Sequence, residues 1–203
     1  MTTWGKSIQS RAEQRELKRL AILRAAAQSF NTIGYHQTNL NQLAETLGVT
    51  KPALYRYVEG KQDILRQCLA IAMAEVHEVI DELESEEEHS SLNGRERLKK
   101  MFVRFAQMSS DDFGACLILS RGAVADETFR EEYNKTANEI MSAMGRFVEM
   151  GAADGSIQAK NGRLLIAAML GAINEAVYWQ QREGRIAPEE IAEQVFGLFE
   201  NRF

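Results

Sequence analysis

The sequence predicts an all-α fold, a small three-helix unit at the N-terminus followed by a larger helical body, with about nine helices in all. Three observations carry that prediction. Apolar residues recur at three- and four-residue spacing through most of the 203 residues, the period of helices buried on one side. Helix breakers are scarce: the whole chain has two prolines, Pro52 and Pro188, in a background rich in Ala, Leu, Glu, Arg, Met and Gln. Glycines stand singly where one apolar period stops and the next begins, as at Gly34, Gly48 and Gly60.

From about Ala12 to Ile33, Leu17, Leu20, Ile22, Leu23, Ala26 and Phe30 share one helical face while Arg15, Lys18, Arg19 and Arg24 turn outward. Thr38 is the expected N-cap of a second, short helix carrying Leu40, Leu43, Ala44 and Leu47, which Gly48 stops. Thr50 caps a third, with Pro52 in the first turn, where a missing N–H is harmless. A fourth runs from Lys61 to near Glu84, long enough to join two units rigidly, and the acidic stretch 84–91 reads as an exposed loop. Asn93, with Glu96 three residues on, forms a capping pair for a helix over about 94–108. Asp111 and Asp112 open a shorter segment that ends near Gly122, and a long helix follows over roughly 127–152, with a turn from Gly151 to Gly155. The helix expected over 161–183 is apolar around much of its circumference, which predicts burial on two sides, and Pro188 starts the last one. The division drawn from this pattern is 1–66 and 67–203.

Charge divides the chain at the same place. Residues 1–66 carry ten Lys and Arg against five Asp and Glu, a net of +5, which leaves -10 for the rest of a chain whose formal charge is -5. A basic unit on an acidic body suits a phosphate-bearing partner better than the overall charge suggests. The two cysteines, Cys68 and Cys116, form no metal or redox motif, and His36, His77 and His89 share no ligand spacing, so no metal or cofactor is expected. No glycine-rich phosphate loop and no nucleophile–base pair is visible, which argues against an enzyme. No apolar run reaches the length of a membrane span, and the expected location is the cytoplasm.

The run Gly34-Tyr35, Thr38, Leu43-Ala44, Gly48-Val49-Thr50-Lys51, Leu54-Tyr55, Tyr57, Lys61 and Ile64-Leu65 resembles the tetracycline-repressor-like (TetR) family of transcriptional regulators, in fixed register over about residues 18–66. Beyond residue 66 the resemblance is architectural only. It implies that residues 1–66 form a helix-turn-helix DNA-binding domain and that residues 67–203 bind an effector and dimerise. Small and polar residues at Thr50, Lys51, Pro52 and Ala53 would let the third helix enter the major groove. Thr38 is a candidate for the DNA-binding surface, Thr50, Lys51, Tyr55, Tyr57 and Lys61 for phosphate contacts, and Lys51, Ala53, Tyr55 and Arg56 for the positions nearest the bases. Tyr55 and Tyr57 also fit as core aromatics, and Arg11, Arg15, Lys18 and Arg19 fit either a solvated helix face or an arm along the DNA. The sequence departs from the common family pattern at Pro52, Tyr57 and Val58, where glycine, histidine and phenylalanine are frequent; Pro52 lacks the N–H that a glycine there could offer to a phosphate.

The resemblance further implies a palindromic double-stranded operator, a homodimer built from the last two helices, and a small-molecule effector that releases the DNA. Phe102, Phe105, Phe113, Met141, Met144, Asn174 and Tyr178 are candidates to line the effector site, and so many Met and Phe residues favour an apolar or aromatic ligand such as an acyl thioester or lipid-like acid. The rival reading is a ligand-independent dimeric DNA-binding or scaffold protein, which would have a filled core.

Overall fold

A computed structural model describes residues 10–85, 91–123, 127–183 and 186–199. Within them the chain forms nine α-helices and no strands: α1 (Arg11–Ile33), α2 (Leu40–Thr46), α3 (Lys51–Leu54), α4 (Lys61–Glu84), α5 (Gly94–Ser110), α6 (Asp112–Ser120), α7 (Glu127–Asp154), α8 (Gly162–Glu183) and α9 (Pro188–Phe199), with a 3₁₀ turn at Arg121–Ala123 after α6. Most of the expected loop at 84–91 lies outside the described residues.

Local chemistry sets many of the boundaries. Ser10 and Glu13 form a reciprocal capping box at the start of α1, and Asn93 and Glu96 do the same for α5. Gly48, with φ of 65°, makes the tight turn between α2 and α3, a left-handed conformation that favours glycine. Three expectations need correction. The N-cap of α2 is Asn39, whose side chain accepts from the Asn41 N–H at 2.8 Å; Thr38 is buried one residue earlier, its hydroxyl donating to the Gly34 carbonyl at 3.0 Å and lying 3.0 Å from the Ser29 hydroxyl. Leu17 is exposed, because the first two turns of α1 extend past the core. Gly151 belongs to α7, where its backbone lies so close to Gly94 that a Cβ on Gly94 would come within 2.0 Å of the Gly151 nitrogen; the turn comes later, at Gly155.

Two buried clusters share α4. The first joins α1, α2 and α3 to the front half of α4 through Leu23, Phe30, Leu43, Leu54, Leu65 and Leu69, and it also takes in Phe113, Cys116 and Leu117 from α6. The second packs the rear half of α4 with α5, α7, α8 and α9 around Leu83, Leu98, Phe102, Met144, Met169 and Phe196. Burying each such Leu or Phe contributes roughly 1.5–3 kcal/mol. Hydrogen bonds fasten α1 to α6 as well: Gln28 donates to the Asp112 carboxylate and Asn31 to the Asp112 carbonyl, both at 2.9 Å, and Arg24 lies over the Phe113 ring. Cys68 and Cys116 are both buried free thiols at this junction, with the Cys68 Sγ–H donating to the Leu23 carbonyl at 3.4 Å. The burial of α8 is one-sided. Leu165, Ile166, Met169, Ile173 and Val177 enter the core, while Leu164 remains 66% exposed, and on α9 Leu198 is 76% exposed.

Candidate nucleic-acid interface and buried cavity

The short helix α3 stands on the buried Leu54 with its N-terminal half in the open. Thr50 caps it, the hydroxyl accepting from the Ala53 N–H at 3.4 Å. Lys51, Pro52, Tyr55 and Arg56 are exposed and Ala53 is half-buried, so five of the predicted contact residues are accessible on and just after α3. Lys51 Nζ lies 5.9 Å from the centre of the Tyr55 ring. Tyr55 is therefore on the surface, whereas Tyr57 is half-buried against the first cluster, as Val58 is fully. Such an end of a helix, narrow and polar, suits entry into the major groove.

Two of the predicted DNA-binding residues are engaged inside the protein. Thr38 is held as described above. The Lys61 ammonium donates to the carbonyls of His36 at 3.0 Å and Thr38 at 3.2 Å and lies 4.7 Å from the centre of the Tyr35 ring, bracing the turn between α1 and α2. A sequence pattern cannot distinguish a lysine that bonds phosphate from one that bonds the protein's own carbonyls.

A basic cleft of about 460 Å³ lies beside α3, lined by Arg11, Gln14, Arg15 and Lys18 of α1 and by Arg56 and Tyr57. Of the basic residues on α1 it gathers these three; Arg19 instead pairs with Glu16 and hydrogen-bonds Gln67. That ion pair raises the Arg19 pKa and lowers that of Glu16.

A cavity of about 340 Å³ is lined by α4, α5, α6, α7 and α8. Of the seven residues expected to line it, Phe105, Met141 and Asn174 do so. The other four lie elsewhere. Phe102 packs on Phe196 in the second cluster, Phe113 belongs to the first, Met144 is wholly buried away from the cavity, and Tyr178 is exposed with its hydroxyl donating to the Ile118 carbonyl at 3.3 Å. Sequence reasoning missed Val76, Ser109, Leu117, Thr136 and Leu170, among others. Periodicity marks Val76 and Leu170 as apolar helix positions without indicating which helix each faces, and it gives no signal for the polar Ser109 and Thr136. Among the described residues, no charged side chain lines the cavity, and the Ser109 hydroxyl in its wall is fully buried without a hydrogen-bond partner.

The family model for bacterial regulatory proteins of the tetR family matches residues 22–68, and that for the tetracyclin repressor-like C-terminal domain matches residues 91–202. The chain belongs to the TetR family. It is thus similar to transcriptional regulators that bind DNA, and no enzyme activity attaches to that family. Among curated TetR-like relatives, the HTH-type transcriptional activator FasR of Mycolicibacterium smegmatis is 21% identical over 181 residues, 88% of this chain and 80% of that protein. The fatty acid metabolism regulator protein of Bacillus subtilis is 21% identical over 167 residues, 81% of this chain and 84% of that protein. The solved structure of AibR in complex with isovaleryl coenzyme A and operator DNA superposes with a TM-score of 0.75 at 19% identity, covering 92% of this chain and 100% of that one, a likeness of fold. As in any TetR regulator of this architecture, α2 and α3 are the helix-turn-helix. No helix among the described residues is long and apolar enough to cross a membrane.

Proposed function

We propose that this TetR regulator is a cytoplasmic repressor that binds a palindromic operator as a homodimer and lets go when an apolar acyl group fills the cavity. The observation that carries this reading is the double role of α6. Gly114, Leu117 and Ile118 line the cavity, while Phe113, Cys116 and Leu117 pack in the cluster beneath α1 and α3. A ligand that pushes α6 outward also moves α1, because α6 is fastened to α1 through Asp112. The division at residues 66 and 67 is then a functional one, crossed by α4 and by this α6 contact.

The cavity's chemistry supports the effector class. Its volume of about 340 Å³ lies at the small end of the roughly 300–1,000 Å³ range of ligand sites, which suits an acyl chain. An ionised carboxylate inside would be unpaired, at a steep desolvation cost, so the ligand group that enters is neutral. The Ser109 hydroxyl supplies a donor for a thioester carbonyl. Two of the relatives above are named for fatty acid metabolism or seen with an acyl thioester, which points the same way. Leu164, Tyr178 and Trp179 on α8 and Leu198 on α9 are all large and exposed, and this grouping of apolar side chains on the last two helices supports a homodimer through α8 and α9.

The test is a titration of the DNA-bound protein with isovaleryl, octanoyl and decanoyl coenzyme A and with the corresponding free acids, read by fluorescence anisotropy of a duplex that the protein selects from a random pool. Release by at least one thioester and none of the acids is expected. No effect of any thioester on DNA affinity or on thermal stability would favour the ligand-independent reading, and tighter DNA binding would overturn release.

A further inference from the structure

The basic cleft beside α3 has a composition that the helix-turn-helix alone does not require. Arg11, Arg15 and Lys18 stand at four- and three-residue spacing on one face of the first two turns of α1, and Arg56, from the turn after α3, meets them across the cleft. None of the four is in an ion pair among the described residues. The neighbouring acids are committed elsewhere: Glu13 accepts from the Ser10 N–H at 2.7 Å, and Glu16 pairs with Arg19. Four like charges around one cleft repel unless an anion sits between them. Tyr57 adds a phenol hydroxyl and Gln14 an amide, both suited to a phosphate oxygen.

We propose that this cleft is a backbone clamp: it holds phosphodiesters of the DNA strand at the rim of the major groove that α3 enters, with Arg56 serving phosphate instead of a base edge. The inference rests on the DNA-binding reading of α3 and adds to it that the first two turns of α1, which extend past the core, are part of the contact surface. Residues 11–18 are all exposed, so the three cations are open to a partner outside the protein. Because phosphates are present whatever the sequence, the clamp strengthens binding to every duplex equally and makes it more sensitive to salt.

The experiment compares the full-length protein with the triple variant Arg11→Gln/Arg15→Gln/Lys18→Gln and with Arg56→Gln. Glutamine keeps helix propensity, and the thermal unfolding of each variant checks that the fold is retained. Each is titrated by anisotropy, from about 50 to 300 mM salt, against a duplex that the wild-type protein selects from a random pool and against one of scrambled sequence. The clamp predicts that the triple variant loses about tenfold or more in affinity for both duplexes, with a log–log salt slope shallower by about two to three per protomer bound. Arg56→Gln loses affinity for both and selects the same sequence from the pool as the wild type. Unchanged slope and affinity in a folded triple variant overturn the clamp while leaving operator binding by α3 intact. A changed selected sequence for Arg56→Gln returns that residue to base reading. Wild-type protein that binds neither duplex overturns the DNA-binding reading and the clamp together.

Discussion

The DNA-facing unit and the cavity-bearing body are built from the same helices and the same residue types, yet they differ in what their sequences disclose. In α2, α3 and the turns around them, side chains meet a partner of fixed shape, so particular residues recur at fixed positions: Gly48 for its left-handed turn, Thr50 for its cap, small residues behind it. In the body, apolar side chains meet only one another or an empty space, and a Phe that lines a cavity looks like a Phe that fills a core. Function that depends on an external template leaves a residue pattern; function that depends on absent volume leaves almost none.

The sharpest way to separate the two regions is to damage one and watch the other. Leu54→Ala, which removes a wholly buried side chain from beneath α3, is expected to cost about 2–5 kcal/mol and to abolish operator binding. Acyl thioester binding should survive, as measured by calorimetry on the variant; loss of both would show that the two regions fold as one cooperative unit. Thr50→Ala is a smaller change on the same side. Losing the cap should cost about 1 kcal/mol and weaken operator binding without altering the effector's affinity.

On the body side the expected effects run the other way. Ser109→Ala removes a buried hydroxyl that has no partner, so stability should hold or rise slightly in thermal unfolding, while thioester affinity falls by about tenfold. A drop in stability would mean that the hydroxyl is satisfied in the unliganded protein. The mildest test is one of pH. Hydrogen bonds from Ser156 and from the Gly94 N–H hold the Asp154 carboxyl below its ordinary range and tie the end of α7 to the start of α5. A depressed carboxylate contributes stability that is present above its unfolded pKa and is lost as pH falls through its folded value. Asp154→Ala should therefore flatten the acid side of the stability–pH curve and leave operator binding at neutral pH unchanged; an unaltered acid limb would show that the tie contributes nothing.

The helix pattern, the ends of α4 and the capping of α3 and α5 were all legible, because each depends on a few adjacent residues. Thr38 was misread as a cap because threonine and asparagine both serve there, and only the packing of its methyl and hydroxyl against α1 decides between Thr38 and Asn39. Lys61 was legible as a conspicuous cation but not as a brace for the α1–α2 turn. The close approach of Gly94 to Gly151 joins residues 57 apart, and no local signal reports it. Four of the seven expected cavity residues were apolar or aromatic positions correctly expected in helices and wrongly assigned a neighbour.

Leu117 is counted in two places, in the cavity wall and in the cluster beneath the DNA-binding helices. For anyone adapting such a protein as a biosensor, that single side chain divides the molecule into parts that can be rewritten and parts that cannot. Met141, Ala167 and Leu170 line the cavity from α7 and α8, away from the DNA-facing cluster, so new ligands can be sought there with the operator address left alone. A change at Leu117 alters both at once, and variants selected there will tend to respond to nothing or to stay permanently on or off.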